Sequence, residues 1–377
     1  MKKRRFSKKG SIRIKSQKSK LWLLLSLLAA LLVLAALVWI FFFSHKEEPI
    51  TRPALSDMID APISSIEKNA EDKSAAQKEA IIKQTSINDP VMWGEEIIYA
   101  STGGSASFNK MYVYNTAEKT SETLPLQAKY NNFIWMQMNE TYLVYLDSSP
   151  AGGGRICVYD RQAETSYVIK EYTYAVPQLS LDGEYVAFLQ QAGDEIDRLY
   201  LYNLRTRESV TVKVMTRTPA VSGGVSLNKG ILTYAVSYYE GEVLKSRVTT
   251  LDITTGEEQI YEWDRYIYAP KQTDHYVAFS TSSIGITEDI YICELTGGDT
   301  PYLLMEDVVN YEVGDGFLAY TKNDAVYIYK FATAKTYRLN TSVSKGLLAS
   351  VMGKHVCWYD VTSPGDVDVV KYVVVDW

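Results

Sequence analysis

Acidic side chains recur in short polar stretches of this chain in a way that could do chemistry: Asp194, Glu195 and Asp197; Glu240 and Glu242; Glu288 and Asp289; Asp366 and Asp368. Tyr238 and Tyr239 directly precede the second group. Carboxylates gathered beside aromatic anchors can bind a basic protein segment, an amino-sugar polymer or a cation such as Ca²⁺. Paired carboxylates can also serve as acid and base in cleaving a glycan. The plainer reading of the same residues is solvated loop charge.

Other chemistry has little to work with. There are three His in the chain, and His45 lies beside the apolar run described below, so His275 and His355 are the remaining candidates. Each immediately precedes an apolar strand-like run, where a lone His is usually structural, and no paired metal-ligand spacing such as HExxH occurs. Cys157, Cys293 and Cys357 fall inside apolar runs, and their odd number argues against a disulfide framework. The glycine runs at 103–104, 152–154 and 223–224 lack the Lys-Ser/Thr of a phosphate loop. No catalytic residue, metal ligand or cofactor is expected.

These residues need a frame, and the charge distribution begins to define one. Of 39 Lys+Arg, ten fall in residues 1–20 with no acid among them, leaving 29 basic against 45 acidic residues beyond. A nucleic-acid partner is not expected for so acidic a body. Residues 21–43 carry no charge and as a helix would span about 35 Å, enough to cross a bilayer. Trp22 and Trp39 stand near its two ends, and the basic tail precedes it, which predicts a cytoplasmic N-terminus and a single-pass anchor with everything after residue 43 outside. A cleaved signal peptide is the alternative, but its apolar region is shorter and ends in small residues, whereas this run ends in Phe41, Phe42 and Phe43.

Residues 44–87 read as a stalk. Pro49, Pro53 and Pro62 interrupt any helix in its first part. A charged, Ala-rich stretch follows at 64–84, where Ser64 and Glu67 fit a capping box and predict a spacer helix. From residue 88 the helical period gives way to short apolar runs, each with a core pair: Ile98-Tyr99, Val144-Tyr145, Ala187-Phe188, Thr233-Tyr234, Ala278-Phe279, Ala319-Tyr320 and Cys357-Trp358. The aromatic members are 46, 43, 46, 45, 41 and 38 residues apart. A second alternating run follows in each unit, ending at Asn115, Asp160, Asn203, Asp252, Glu294 and Lys330, with a last one at 371–377. The spacing matches the roughly 40–45 residues of a four-stranded propeller blade.

The reading is an all-β, seven-bladed β-propeller over residues 88–377, alternatively six-bladed because the unit around Lys330 is compressed. The last unit lacks an outer strand, which would be borrowed from about residues 81–87 to close the ring. In unit three, Pro177, Ser180, Asp182, Gly183, Val186, Ala187 and Phe188 resemble the P-x-[WL]-S-x-D-G-x-x-[IVL]-A-[FY] repeat of TolB-like, WD-repeat-like propellers. The resemblance implies a tight turn at Asp182 and Gly183 and a fold, but no activity. Similar propellers also accompany hydrolase domains bearing G-x-S-x-G, a motif this chain lacks, so a serine hydrolase is not expected.

In such a propeller the loops between second and third strands share one face, at 105–110, 148–155, 191–198, 238–247, 282–289 and 362–368. The acids above would then form a rim. The expected role is a membrane-anchored, extracytoplasmic, non-enzymatic scaffold for a protein or an envelope polymer, with a glycan-acting propeller enzyme as the alternative.

Overall fold

The computed structural model describes residues 66–377 apart from 83–85, 174, 194–195, 217–221, 264–265, 274, 282–286, 296–300 and 363–367. The apolar run at 21–43 lies outside these residues. Among the described residues no helix is long and apolar enough to cross a membrane.

Seven sheets follow one another as blades, each with four antiparallel strands and the sixth with one added parallel strand. The first runs through Ile87–Trp93, Glu96–Ser101, Lys110–Asn115 and Thr120–Thr123, innermost strand first. Blades two to six occupy 133–172, 178–216, 222–263, 268–308 and 310–338. Blade seven takes Gly346–Met352, His355–Asp360 and Asp368–Val374 from the C-terminal end, and its outer strand, Lys78–Ile82, from the other end of the described chain. The closing strand thus lies a few residues before the predicted 81–87, and Ile87 already opens blade one. Blade six is short because residues 323–324 alone join its second and third strands, which is why its unit looked compressed in the sequence.

Each core pair sits on a second strand with both faces covered. Along Tyr142–Ser148, alternate side chains enter opposite seams: Leu143 and Tyr145 pack with blade one, Val144 and Leu146 with blade three. The hydrophobic core is accordingly a set of seven layers, one in each seam between neighbouring blades. This explains the continuous apolar runs, since burial on two faces removes the period-two alternation. The outermost strands are largely exposed, as in Thr120–Thr123. All three cysteines are buried and free, and burial pushes the Cys157 thiol up to about 12.

Polar side chains stitch the innermost strands together. Gln137 is bidentate to the next blade, its Nε2 donating to Leu179 O at 3.0 Å and its Oε1 accepting from Leu181 N at 2.6 Å. Ser180 Oγ accepts from Leu227 N at 2.8 Å, and Lys271 Nζ donates to Tyr311 O at 3.2 Å. At the closing seam Ser350 Oγ donates to Pro90 O at 2.6 Å. A second set joins the turns on the opposite rim, where Asn139 Nδ2 donates to Gly183 O, Gly230 N to Asp182 Oδ2 and Gly316 N to Thr273 Oγ1. Asp182, expected to shape its own turn, also ties blade three to blade four.

His355 completes this second set. Gly94 N donates to its Nε2 at 3.1 Å, while its Nδ1 lies 3.1 Å from Met352 O, so the neutral ring with hydrogen on Nδ1 satisfies both contacts. Its ring also packs 5.1 Å from Trp93. Its ring thereby joins blade seven to blade one.

Ahead of the closing strand, residues 66–77 form a strap along blade six, not the spacer helix predicted for 64–84. Glu71–Asp72 adds a parallel fifth strand beside Lys335–Arg338, and Ser74–Ala76 makes a 3₁₀ turn. Ile66 and Ala70 pack on the layer between blades five and six. Glu67 pairs with Lys322 at 3.4 Å and accepts from Tyr320 Oη at 3.3 Å, with both charged side chains only 13% exposed. The sheet edge outcompeted helix propensity because it offers backbone partners and apolar cover together.

Two outcomes test this account. Gln137→Met leaves Leu179 O and Leu181 N without their partner and is expected to cost about 1–3 kcal/mol, read as a lower denaturation midpoint at unchanged slope. Burial holds the His355 pKa below its ordinary 6.5, so the folded chain binds fewer protons than the unfolded one there. Stability is therefore full above about pH 6.5 and declines as pH falls below it. His355→Gln should flatten that part of the stability–pH curve.

Candidate partner-binding face

Strand direction defines the face. Each innermost strand starts where the chain arrives from the previous blade, and each hairpin between second and third strands turns on the same side. The expected loops at this face are in part longer strands. In blade four, Ile231–Glu240 pairs with Val243–Asp252 along its whole length, leaving residues 241–242 as the turn, with Gly241 at φ 64.

On this hairpin Tyr239 is 51% exposed, whereas Tyr238 is held: its hydroxyl donates to Glu262 Oε1 at 3.1 Å and the Arg247 guanidinium lies 5.6 Å from its ring centroid. Arg247 Nε also donates to Glu262 at 2.9 Å, and the hydrogen bonds from Arg247 and Tyr238 hold the Glu262 carboxyl below its ordinary range. Glu240 pairs with Lys245 at 2.5 Å. Glu242 is exposed in the turn.

The remaining acids separate. Asp197, expected on the rim, is 1% exposed inside strand Ile196–Asn203, opposite Gln191 and Met215. Strand pairing extends further toward the hairpin tip than the sequence suggested, and alternation turns Asp197 inward. Glu288 is half-buried at the start of Glu288–Glu294, and Asp289 is exposed, its Oδ1 accepting from Asp307 N at 3.3 Å. Asp194, Glu195 and Asp366 lie outside the described residues, and Asp368 opens a strand with its side chain outside them. Among the described residues no three His, Cys, Asp or Glu gather closely enough to hold a metal ion.

A feature that the sequence reading missed lies on the innermost strands at this face. The register against the second strand slips between Asn88 and Val91, Ile134 and Gln137, Ser222 and Val225, and Tyr268 and Lys271. Each slip contains one residue of positive φ: Asp89 at 46, Trp135 at 54, Gly224 at 111 and Ala269 at 46. Four blades thus carry the same bulge at the same height. Asp89-Pro90 and Ala269-Pro270 were the legible signal, since proline inside a strand removes a ladder donor and marks a bulge.

Trp135 is the unusual member. A bulky residue at positive φ is sterically disfavoured, and Trp135 is also 55% exposed. Its backbone N–H donates to Asp89 Oδ2 at 2.6 Å across the seam between blades one and two. Burial raises the Asp89 pKa above the ordinary carboxylate value, with this hydrogen bond acting against the shift. The arrangement holds an indole face in solvent beside a polar seam, which suits stacking on a side chain or a sugar ring and supplies no nucleophile.

The strain and the exposure make a paired expectation. Trp135→Gly should raise stability by about 1 kcal/mol by relieving positive φ, read as a higher unfolding midpoint, while any binding through this face falls. Unchanged or lower stability would count against the strained backbone.

The sequence matches no protein-family model and no curated protein. Among solved structures the chain is similar to a prolyl endopeptidase, with TM-score 0.51 and 11% identity over 78% of this chain and 51% of that one. It is similar to an acylaminoacyl peptidase in complex with Z-Gly-Gly-Phe-chloromethyl ketone, with TM-score 0.51 and 9% identity over 77% and 51%. TolB from Acinetobacter baumannii gives TM-score 0.40 and 11% identity over 79% and 80%. The chain spans about half the length of the two peptidases. At such identities the likeness is one of fold, a β-propeller.

Proposed function

We propose that this chain is a single-pass, membrane-anchored propeller whose C-terminal domain lies outside the membrane and acts as a non-enzymatic scaffold. Its partner is a protein or a cell-envelope polymer, engaged through the face that carries Trp135 and the blade-four hairpin. The observation that carries the reading is the exposure of Trp135 and Tyr239 on one face, both amphipathic rings of the kind that anchor interfaces. Several carboxylates around them are occupied, Asp89 by Trp135 N–H, Glu240 by Lys245 and Glu262 by Arg247, while Glu242 is exposed in the turn. Acids engaged in this way favour recognition over turnover. The uncharged run at 21–43 behind ten basic residues supports the anchor and its orientation.

The test is in-cell crosslinking of the full chain against a Trp135→Ala/Tyr239→Ala variant of equal thermal stability. A specific envelope component recovered with the wild type and lost with the variant is the expected result. Recovery that is identical with both would remove this face from the reading, and glycan cleavage by the purified full chain would replace the scaffold with the enzyme. For topology, protease added outside intact cells should digest the propeller while an N-terminal tag stays protected.

A further inference from the structure

The rim opposite the long hairpins carries a different constellation, at the seam between blades six and seven. Trp377 follows the third strand of blade seven and packs edge-on against Tyr337 of blade six, with centroids 4.9 Å apart and planes at 72°. Lys330, closing the third strand of blade six, holds Nζ 4.7 Å from the Trp377 ring centroid. Lys73, from the strap, holds Nζ 5.0 Å from the same ring. Both ammonium groups also lie against Tyr337, at 6.0 and 5.8 Å. The Trp377 Nε1 atom is buried and makes no hydrogen bond.

Two cations over one indole repel each other. The Lys330 pKa lies below the ordinary lysine value, through burial first, then through the charges of Lys73 and Lys354, with Asp376 pulling the other way. Neither Lys73 nor Lys330 forms an ion pair with a described residue. Elsewhere the folded part is rich in acids, and several of its lysines are paired, as Lys271 is with Glu312 and Lys371 with Glu79. Here two ammonium groups share one pair of rings with no described carboxylate at ion-pair distance, although Glu71 and Asp376 feel their charge, and such incompletely neutralised cations recruit an oxyanion.

We infer that Lys73 and Lys330, held side by side on the Trp377 and Tyr337 rings, form a binding site for a phosphate group, with exposed Lys354 adding positive charge at its edge. The phosphate is either free in solution or part of an anionic lipid headgroup. Lys73 belongs to the strap, Lys330 to blade six and Trp377 to blade seven, so the bound group joins three segments that meet where the ring closes. Binding of this kind stabilises the folded state by mass action.

Thermal unfolding of the full chain in detergent micelles tests the site, with inorganic phosphate exchanged for chloride at constant ionic strength. A saturable rise in Tm is expected for the wild type, with the apparent Kd weakened by about tenfold or more in Lys73→Gln/Lys330→Gln. Lys170→Gln removes a comparable ammonium, 4.9 Å from the Tyr200 ring in another seam, and should respond as the wild type does. If the double variant is too unstable to measure, Lys354→Gln, whose side chain is exposed, should still weaken phosphate by about threefold.

Reconstitution without free phosphate, into phosphatidylcholine vesicles with or without phosphatidylglycerol, separates the sources. A rise in Tm that needs phosphatidylglycerol and both lysines assigns the lipid headgroup. A rise with inorganic phosphate alone assigns a soluble ligand. An equal response in wild type and double variant, or no response of the wild type to either source, overturns the site.

Discussion

The structure depends on how the inner edge of each sheet is satisfied. An innermost strand pairs on one side only, and its other edge would present unpaired N–H and C=O groups to the axis. Side chains of the preceding blade supply partners. The carboxamide of Gln137 meets Leu179 O and Leu181 N as a neighbouring strand would, with one donor and one acceptor in register. Ser180, Lys271 and Ser350 make shorter versions of the same contact at other seams. These bonds fix the angle between blades, and the seven apolar layers then fill seams of a set width.

With so much of the chain committed to seams, little is left free to vary. The second strands are covered on both faces, and the third strands nearly so. Apart from the exposed outermost strands, the chain at this face is free of the seams at the hairpin tips and at the bulges of the innermost strands, which is where Trp135 and Tyr239 are found. Positive φ at Trp135 persists because Asp89 takes its N–H and the neighbouring strands hold the backbone on either side. A rigid ring can carry a locally unfavourable conformation that an isolated hairpin could not.

The sequence made the blades legible through two signals of different origin. Core pairs such as Ala187-Phe188 repeat because they fill equivalent seams, and the second runs end at Asn115, Asp160 and Asn203, where the third strands of the structure also end. The site was less legible. Asp197 looked like loop charge because its neighbours are polar, whereas strand pairing carries it inside. Trp135 gave no signal in the sequence, since FIWMQM contains nothing that announces a bulge; only its register against Tyr142–Ser148 does. The strap was misread for a related reason: an Ala-rich segment suits a helix in isolation, and the sheet edge that captures it lies more than 250 residues away in the sequence, at Lys335–Arg338.

The closing strand imposes an order on biosynthesis. Lys78 pairs with Tyr372 and Ile82 with Asp368, so one of the first segments of the propeller to be synthesised waits for one of the last. Until Asp368–Val374 has emerged, Lys78–Ile82 has no sheet to join, the layer around Ala80 and Ile82 is incomplete, and blade one lacks a neighbour on one side. Pairings this distant close slowly and leave strand edges open in the meantime. Ring closure therefore acts as a check on the nascent chain: a product that stops short of its final strand stays open and recognisable as unfinished.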